Sequence, residues 1–239
     1  MIEPVDSPRF FEGNSDRPVH SPRQVRRLLP KPHRQWKKNH SAYELAHAWL
    51  KAGDIPVRVL TVLETCSAFT GARLLKAFFE QKTDLRTAGR WSQTELLAKL
   101  QIEDGLAVVC VHGKARETFG ELVSTWLSKP GDWKRSRLEG LCADMELCLD
   151  TARDLRYQLL HRTAATLYEA EQGGAQVALM LVHAFCPDDQ GFDDFQSFTQ
   201  AMSAPVTKVN TISGPVPRLD RDLYFGWVSD RPSPAHSPR

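Results

Sequence analysis

Three kinds of segment are missing from this sequence of 239 residues. Its apolar runs fall short of the roughly 20 residues that cross a bilayer, so we predict no membrane partner. Its first residues lack the apolar stretch of a secretory signal, so we expect a cytoplasmic protein. Its five cysteines include no CxxC pair, which argues against a structural zinc site and indicates free thiols in a reducing compartment.

The common motifs of nucleotide and hydrolase chemistry are missing as well. The sequence contains no Walker A phosphate loop, no GxGxxG, no GxSxG and no HExxH. These absences argue against nucleotide-driven motors, Rossmann enzymes, α/β-hydrolases and zincins. What is present is ordinary for a globular protein, with 41% hydrophobic and 25% charged residues. The net charge of +2 gives no whole-chain reason to expect a nucleic-acid partner.

Composition divides the chain into one domain with two tails. Residues 1–32 and 231–239 are rich in Pro, Arg and Ser without apolar periodicity, and we predict that both are disordered. Residues 33–230 form one predicted domain with a single core. A basic run without any acid extends from Arg23 to Lys38, across the end of the first tail, and it is either a solvated linker or an arm that attracts nucleic acid. Its cations are Arg23, Arg26, Arg27, Lys31, Arg34, Lys37 and Lys38.

Apolar periodicity predicts a mixed α/β domain in which extra N-terminal helices precede a small mixed sheet. Residues 106–111 are apolar without alternation, which predicts a central strand buried on both faces. Residues 223–228 predict a last strand at a sheet edge. The other predicted strands are 96–100 and 177–183, and the predicted helices are 41–50, 57–64, 72–81, 121–127, 135–149, 154–172 and 192–202.

A candidate site surrounds the predicted central strand. His112 and Lys114 follow its C-terminal end and share one face, Glu95 precedes the neighbouring strand, and Glu117 begins the next helix. Carboxylates near a lysine suit metal-assisted phosphodiester hydrolysis, in which the acids hold the ion and the lysine stabilises negative charge. Glu117 has a second interpretation, as an acid that faces a helix N-terminus.

A polar stripe on the predicted helix 154–172 could complete this site. Gln158 and Arg162 are four residues apart and therefore lie on one side of the helix, with His161 beside them. Such a stripe beside a buried strand can position a phosphate. The alternative is a solvated helix face with one buried, hydrogen-bonded histidine.

Several segments together resemble an uncharacterised bacterial domain family of unknown function. The resemblance covers roughly residues 33–230, and RYQLLHRTA is its most specific string. The family has Asn-Asp at Thr94-Glu95 and Glu-Gly-Lys at His112-Gly113-Lys114, a pattern similar to the PD-(D/E)XK nuclease superfamily. The resemblance implies a restriction-endonuclease-like αβββαβ core. The segments that carry it are HRQWKKNHSAYELAHAWL, SQTELL, HGKARETFGELVSTWL, DLRYQLLHRTAATLYEA, ALMLVHAF and LYFGWV.

The resemblance further implies an Mg²⁺ or Mn²⁺ site, from which this chain departs at its centre. Glu95 keeps the charge of the family's Asp, but His112 replaces the central acid. Because Mg²⁺ prefers oxygen ligands and imidazole suits softer ions, the site is either retuned to another metal or has lost its metal. Glu117 could replace the missing carboxylate.

Two function hypotheses follow from the sequence. The first is a metal-dependent nuclease that acts on nucleic acid, with Glu95, His112 and Glu117 as metal ligands. Its catalytic residues would be Lys114, with Gln158 and Arg162 orienting the phosphate or the lysine. The second is a binding or regulatory module that keeps the nuclease fold but uses no metal.

Overall fold

The computed structural model describes residues 8–232 of the chain, and in this range the strands form one mixed sheet of seven. The mixed α/β class predicted from the sequence is confirmed. The strands are β1 (Phe10–Glu12), β2 (Arg73–Thr83), β3 (Ser92–Ile102), β4 (Gly105–Lys114), β5 (Val177–Ala184), β6 (Thr211–Arg218) and β7 (Arg221–Ser229).

Helices cover both faces of this sheet. Four of them precede β2, so the extra N-terminal helices that the sequence predicts are present. Among residues 8–232, no helix is both long and apolar enough to cross a membrane. The helices are α1 (Pro22–Leu28), α2 (Pro32–Gln35), α3 (Ser41–Ala52), α4 (Val57–Leu63), α5 (Val123–Ser128), α6 (Trp133–Asp144), α7 (Leu149–Ala152), α8 (Tyr157–Gln172) and α9 (Phe192–Ala201).

The sheet has the strand order β1-β2-β3-β4-β5-β7-β6. Strand β3 runs antiparallel to both of its neighbours, β2 and β4, whereas β4, β5 and β7 are mutually parallel. The register of β4 and β5 aligns Val108 with Ala178 and Val111 with Leu181. The predicted strands 106–111 and 177–183 therefore lie side by side in one sheet, as expected.

Strand β4 is buried on both faces, which explains its unbroken apolar run. Val108 and Cys110 belong to the hydrophobic cluster beneath α6 and α8, while Val109 and Val111 belong to the cluster beneath α3 and α4. Both faces of a strand between two helical layers must be apolar, so alternation disappears. All five cysteines are free thiols, and Cys110 is one of three that are buried.

The predicted N-terminal tail is ordered over much of its length. Strand β1 pairs in parallel with β2, and Phe10 stacks on Phe79 with ring centroids 5.9 Å apart. Val25 of α1 is also buried. The disorder predicted for 1–32 is therefore wrong for residues 10–29, because a few well-spaced apolar residues anchor an otherwise polar segment. Residues 1–7 and 233–239 of the predicted tails lie outside the described residues.

Two further predictions about secondary structure are wrong. The segment predicted as a helix at 72–81 is strand β2, because pairing with β1 and β3 overrides the helix propensity of its Leu, Ala, Lys and Glu residues. Strand β7 is internal rather than an edge, since it lies between β5 and β6. The sheet is larger than predicted because β1, β2 and β6 were not expected as strands.

The docking of β1 can be tested by truncating Phe10. We expect Phe10→Ala to lower the free energy of unfolding by about 3 kcal/mol, because it leaves a cavity beside Phe79. Leu75→Ala on β2 is the control, since Leu75 is 43% exposed and should cost no more than about 0.5 kcal/mol. Urea unfolding of both variants provides the comparison. Equal losses would mean that β1 contributes no core packing.

Candidate functional site

The predicted site residues meet at the C-terminal end of β4, around a cavity of about 430 Å³. Strands β2, β3 and β4, helix α8 and the N-terminal helices all contribute to its walls. Five of the six predicted residues line it, whereas His112 is fully buried beneath it. The predicted residues in the lining are Glu95, Lys114, Glu117, Gln158 and Arg162.

Glu95 and His112 form a buried hydrogen-bonded pair across β3 and β4. The register aligns Leu96 with Val111, so the next positions along the two strands bring Glu95 opposite His112. His112 Nδ1 lies 2.8 Å from Glu95 Oε2, and the ring donates to the carboxylate. This assigns the Nδ1–H tautomer to the ring, and Nε2 finds no partner among the described residues.

Arg162 of α8 forms an ion pair with the other carboxylate oxygen of Glu95. Its Nη2 donates to Glu95 Oε1 at 2.6 Å, and its side chain is 7% exposed. Burial alone would raise the pKa of Glu95, but the Arg162 charge and the His112 hydrogen bond outweigh it and lower the pKa to about 2. Burial and the Arg162 charge lower the pKa of His112 to about 4, so His112 is neutral at pH 7.

Lys114 points toward α8 and the loop that follows β4. Its Nζ donates to Thr118 O at 2.9 Å and to Gln158 Oε1 at 3.3 Å. The same Nζ lies 3.9 Å from the centroid of the Phe119 ring. Burial and the charge of Arg162 lower the pKa of Lys114 to about 7, so the amine is close to half-protonated at neutral pH. Lys114 and Gln158, which the sequence assigned to one site, are therefore in contact.

Glu117 lies at the rim, at the N-terminus of α3. Its Oε1 accepts from the backbone N–H of Ser41 at 2.9 Å and from the Ser41 hydroxyl at 3.1 Å. Burial would raise the pKa of Glu117, but backbone N–H donors of Ser41 and Ala115 outweigh it and lower the pKa. Gly113 makes this contact possible, because a Cβ there would lie 3.1 Å from Ser41. The prediction that Glu117 begins the next helix is wrong, because α5 starts only at Val123; the helix N-terminus that Glu117 faces is that of α3.

Glu80 of β2 is a site residue that the sequence did not reveal. The register of β2 and β3 pairs Phe79 with Leu96 and Gln81 with Thr94, so Glu80 lies opposite Glu95. Burial and the charge of Glu95 raise the pKa of Glu80 to about 8. If residues 73–83 had been predicted as a strand, the position of Glu80 opposite Glu95 would have followed, but residues 72–81 were predicted as a helix.

The remaining walls bring in residues from α2, from the entry to β3 and from α8. Arg34 of α2 and Trp91, which directly precedes β3, line the cavity. His161 also lines it and shares a 2.9 Å hydrogen bond with the Ser92 hydroxyl. Burial and the Arg162 charge lower the pKa of His161 to about 3, so His161 is also neutral at pH 7.

The residues present do not fit the magnesium or manganese ion that the family resemblance implies. Both oxygens of Glu95 are engaged, one by His112 and the other by Arg162. The Arg162 guanidinium already supplies the positive charge that a metal would bring to this carboxylate. Within residues 8–232, no three His, Cys, Asp or Glu side chains are grouped so that they could hold a metal. The predicted ligand set Glu95, His112 and Glu117 therefore does not form one centre.

Comparison with known proteins gives one match. The model of the family described as Domain of unknown function (DUF6946) matches residues 18–232. No curated protein and no solved structure matches the chain.

The raised pKa of Glu80 predicts a specific pH dependence of stability. Because the folded protein holds this proton up to about pH 8 whereas an unconstrained glutamate releases it near 4.5, the stabilisation is complete below pH 4.5 and is lost as pH rises to about 8. Glu80→Gln should remove this loss, which is on the order of 4 kcal/mol. Unfolding free energies of both proteins across this pH range give the difference.

Glu139→Gln is the control for this experiment, because the Glu139 side chain is 49% exposed and lies in a surface ion pair with Arg135. Its difference from the wild type should not change over the same pH range. If Glu80→Gln follows the control, then Glu80 ionises in the folded protein as an ordinary glutamate does.

Proposed function

The chain belongs to the DUF6946 family, and we propose that it is a metal-independent nucleic-acid-binding module built on a restriction-endonuclease-like core. The phosphate backbone would bind at the cavity beside β4 and along the basic N-terminal surface next to it. A place in the bacterial cytoplasm, where this ligand is abundant, is part of the same proposal.

The order of elements supports the nuclease-like core. Helix α3 is followed by the antiparallel strands β2, β3 and β4, and then by α8 and the parallel strand β5. With α4 as an extra helix between α3 and β2, this order supports the αβββαβ core that the family resemblance implies. The short helices α5, α6 and α7 are inserted between β4 and α8, and β7 and β6 extend the sheet beyond β5.

The observation that carries the metal-free function is the ion pair of Arg162 with Glu95. A divalent ion at Glu95 would have to displace a guanidinium that is held at 2.6 Å in a nearly buried position. Removing one partner of a buried ion pair leaves an uncompensated charge, which costs about 3–5 kcal/mol. The site therefore favours its own arginine over a hydrated metal ion.

Two features favour an anionic ligand. Arg162 lines the cavity, and its buried Nε and Nη1 have no acceptors among the described residues, so its guanidinium retains unused donors of the kind that phosphate oxygens accept from. The cations of α1, α2 and the following turn form an exposed basic surface, and Arg34 links this surface to the cavity. In the described part of the chain none of these cations has an ion-pair partner. The basic surface consists of Arg23, Arg26, Arg27, Lys31, Arg34, Lys37 and Lys38.

The metal-dependent nuclease is the second candidate, and the pairing of Glu80 with Glu95 favours it. Two carboxylates on adjacent strands repel each other without a cation between them, and an ion would relieve that repulsion. In this candidate, Lys114 would be the catalytic lysine, with Gln158 and Arg162 orienting it or the phosphate. It requires Arg162 to leave Glu95.

Chelation and salt dependence together test the proposed function. We expect binding of a fluorescent oligonucleotide to be unchanged by EDTA, because no metal takes part. We expect Arg34→Ala to reduce the slope of log K against log salt by about 1, because one fewer counterion is released. Fluorescence anisotropy at several salt concentrations measures both effects.

Arg135→Ala is the matched control, because Arg135 is an exposed arginine of α6 outside the basic surface. It should leave the salt slope unchanged. Loss of binding in EDTA, or cleavage of the oligonucleotide with Mg²⁺ or Mn²⁺, would contradict the proposal and favour the nuclease.

The substitution His112→Glu asks whether the family's metal site can be restored. We expect the wild type to bind neither Mg²⁺ nor Mn²⁺ in titration calorimetry. His112→Glu should gain Mg²⁺ affinity, because it adds a hard oxygen ligand beside Glu95, and should lose stability without metal through like-charge repulsion. His112→Gln, which adds no charge, should gain nothing. Binding of Mn²⁺ by the wild type would show a retuned site instead.

A further inference from the structure

A second cavity, of about 580 Å³, adjoins the first. The two cavities share Glu80 and Trp91, which therefore form the wall between them. The first cavity is lined by Arg34, Lys114 and Arg162 together with the acids Glu80, Glu95 and Glu117, whereas the second is bordered by the exposed Trp91 ring. Arginine donors in one space beside an aromatic ring in the next match the two halves of a nucleotide.

We propose that the second cavity holds a nucleobase of a single-stranded nucleic acid, stacked on Trp91, while the adjoining phosphate lies in the first cavity. This inference rests on the proposed function and names its ligand class. The volume of the second cavity lies within the roughly 300–1,000 Å³ that is typical of pockets that bind small organic groups.

Trp91 is placed for stacking rather than for core packing. It is 63% exposed, more than any other tryptophan among the described residues. Lys82 Nζ lies 5.6 Å from its ring centroid, so a cation accompanies the ring. Large exposed aromatic rings beside cations are the elements with which proteins bind single strands, since every base has a face to stack.

One side of this cavity is preorganised, because residues 13 and 14 are held against β2. Gly13 closes tightly over β2, because a Cβ there would lie 2.6 Å from the Glu80 backbone. The Asn14 side chain then pairs with the backbone of Lys82, donating to its oxygen at 3.0 Å and accepting from its N–H at 2.9 Å. The part of the cavity formed by Gly13 and Asn14 is therefore held in place by β2, and this lowers the entropic cost of binding.

A single strand fits these observations better than a duplex. A base that stacks on Trp91 must first leave its own stack and its pairing partner, which costs a few kcal/mol in a duplex but little in a single strand. The basic surface on α1 and α2 would then follow the phosphates on either side. An acidic peptide would match the charge but would not need the exposed ring.

Stacking can be separated from charge with two probes. A thymidine oligonucleotide of about 12 nucleotides offers bases and phosphates, whereas inorganic polyphosphate offers phosphates alone. We expect Trp91→Ala to weaken oligonucleotide binding about tenfold and polyphosphate binding much less, because Trp91 borders the phosphate site but contributes a ring face and no charge. Trp91→Phe should restore most of the lost affinity because it keeps a ring. A duplex of the same sequence should bind more weakly than the single strand to the wild type.

Trp133→Ala is the matched control, because Trp133 is 40% exposed but lines neither cavity. It should leave both affinities unchanged, and circular dichroism verifies that each variant is folded. The base pocket would be overturned if Trp91→Ala and Trp133→Ala lost oligonucleotide affinity equally. It would also be overturned if Trp91→Ala lost affinity for both probes equally. In either case the phosphate site would stand. Failure of the wild type to bind either probe would overturn the proposed function and the base pocket with it.

Discussion

The ion pair between Glu95 and Arg162 determines the electrostatics of the whole site. It is nearly buried, and it is joined from below by the neutral imidazole of His112. Arg162 holds the Glu95 carboxylate ionised, and its charge lowers the pKa of both Lys114 and His112. The Glu95 charge in turn raises the pKa of Glu80 across the strand. An arginine from α8 thus balances the charge of the Glu95 carboxylate.

Much of the fold could be predicted from the sequence because its centre is strongly patterned. The apolar runs of β4 and β5 identify two strands buried on both faces, and such strands must lie inside a sheet covered by helices. The N-terminal third was harder. Strand β2 consists of residues that favour helices, and β1 is only three residues long, so their structure depends on contacts that no local pattern records.

The candidate site was predictable in its members but not in their bonding. The sequence suggested that Gln158 could orient the phosphate or the lysine, and in the structure Lys114 donates to Gln158. Spacing could not show that Arg162 would reach Glu95, since that depends on how α8 crosses the sheet. The sequence did not reveal Glu80, because its place opposite Glu95 follows from the register of β2 and β3. That register can be predicted only when residues 73–83 are recognised as a strand.

The two outer strands have a consequence for how the protein behaves at high concentration. Strand β6 carries Pro215 and Pro217, which offer no N–H to a new neighbour, and a register shift lies between Ser213 and Val216. On the opposite side, β1 covers only Phe10–Glu12 of the outer rim, and exposed Arg73, Lys76 and Lys82 of β2 place positive charge along that side. Charged or proline-bearing rims discourage strand-to-strand association between molecules. Both rims of the sheet therefore disfavour the addition of a strand from another copy of the chain.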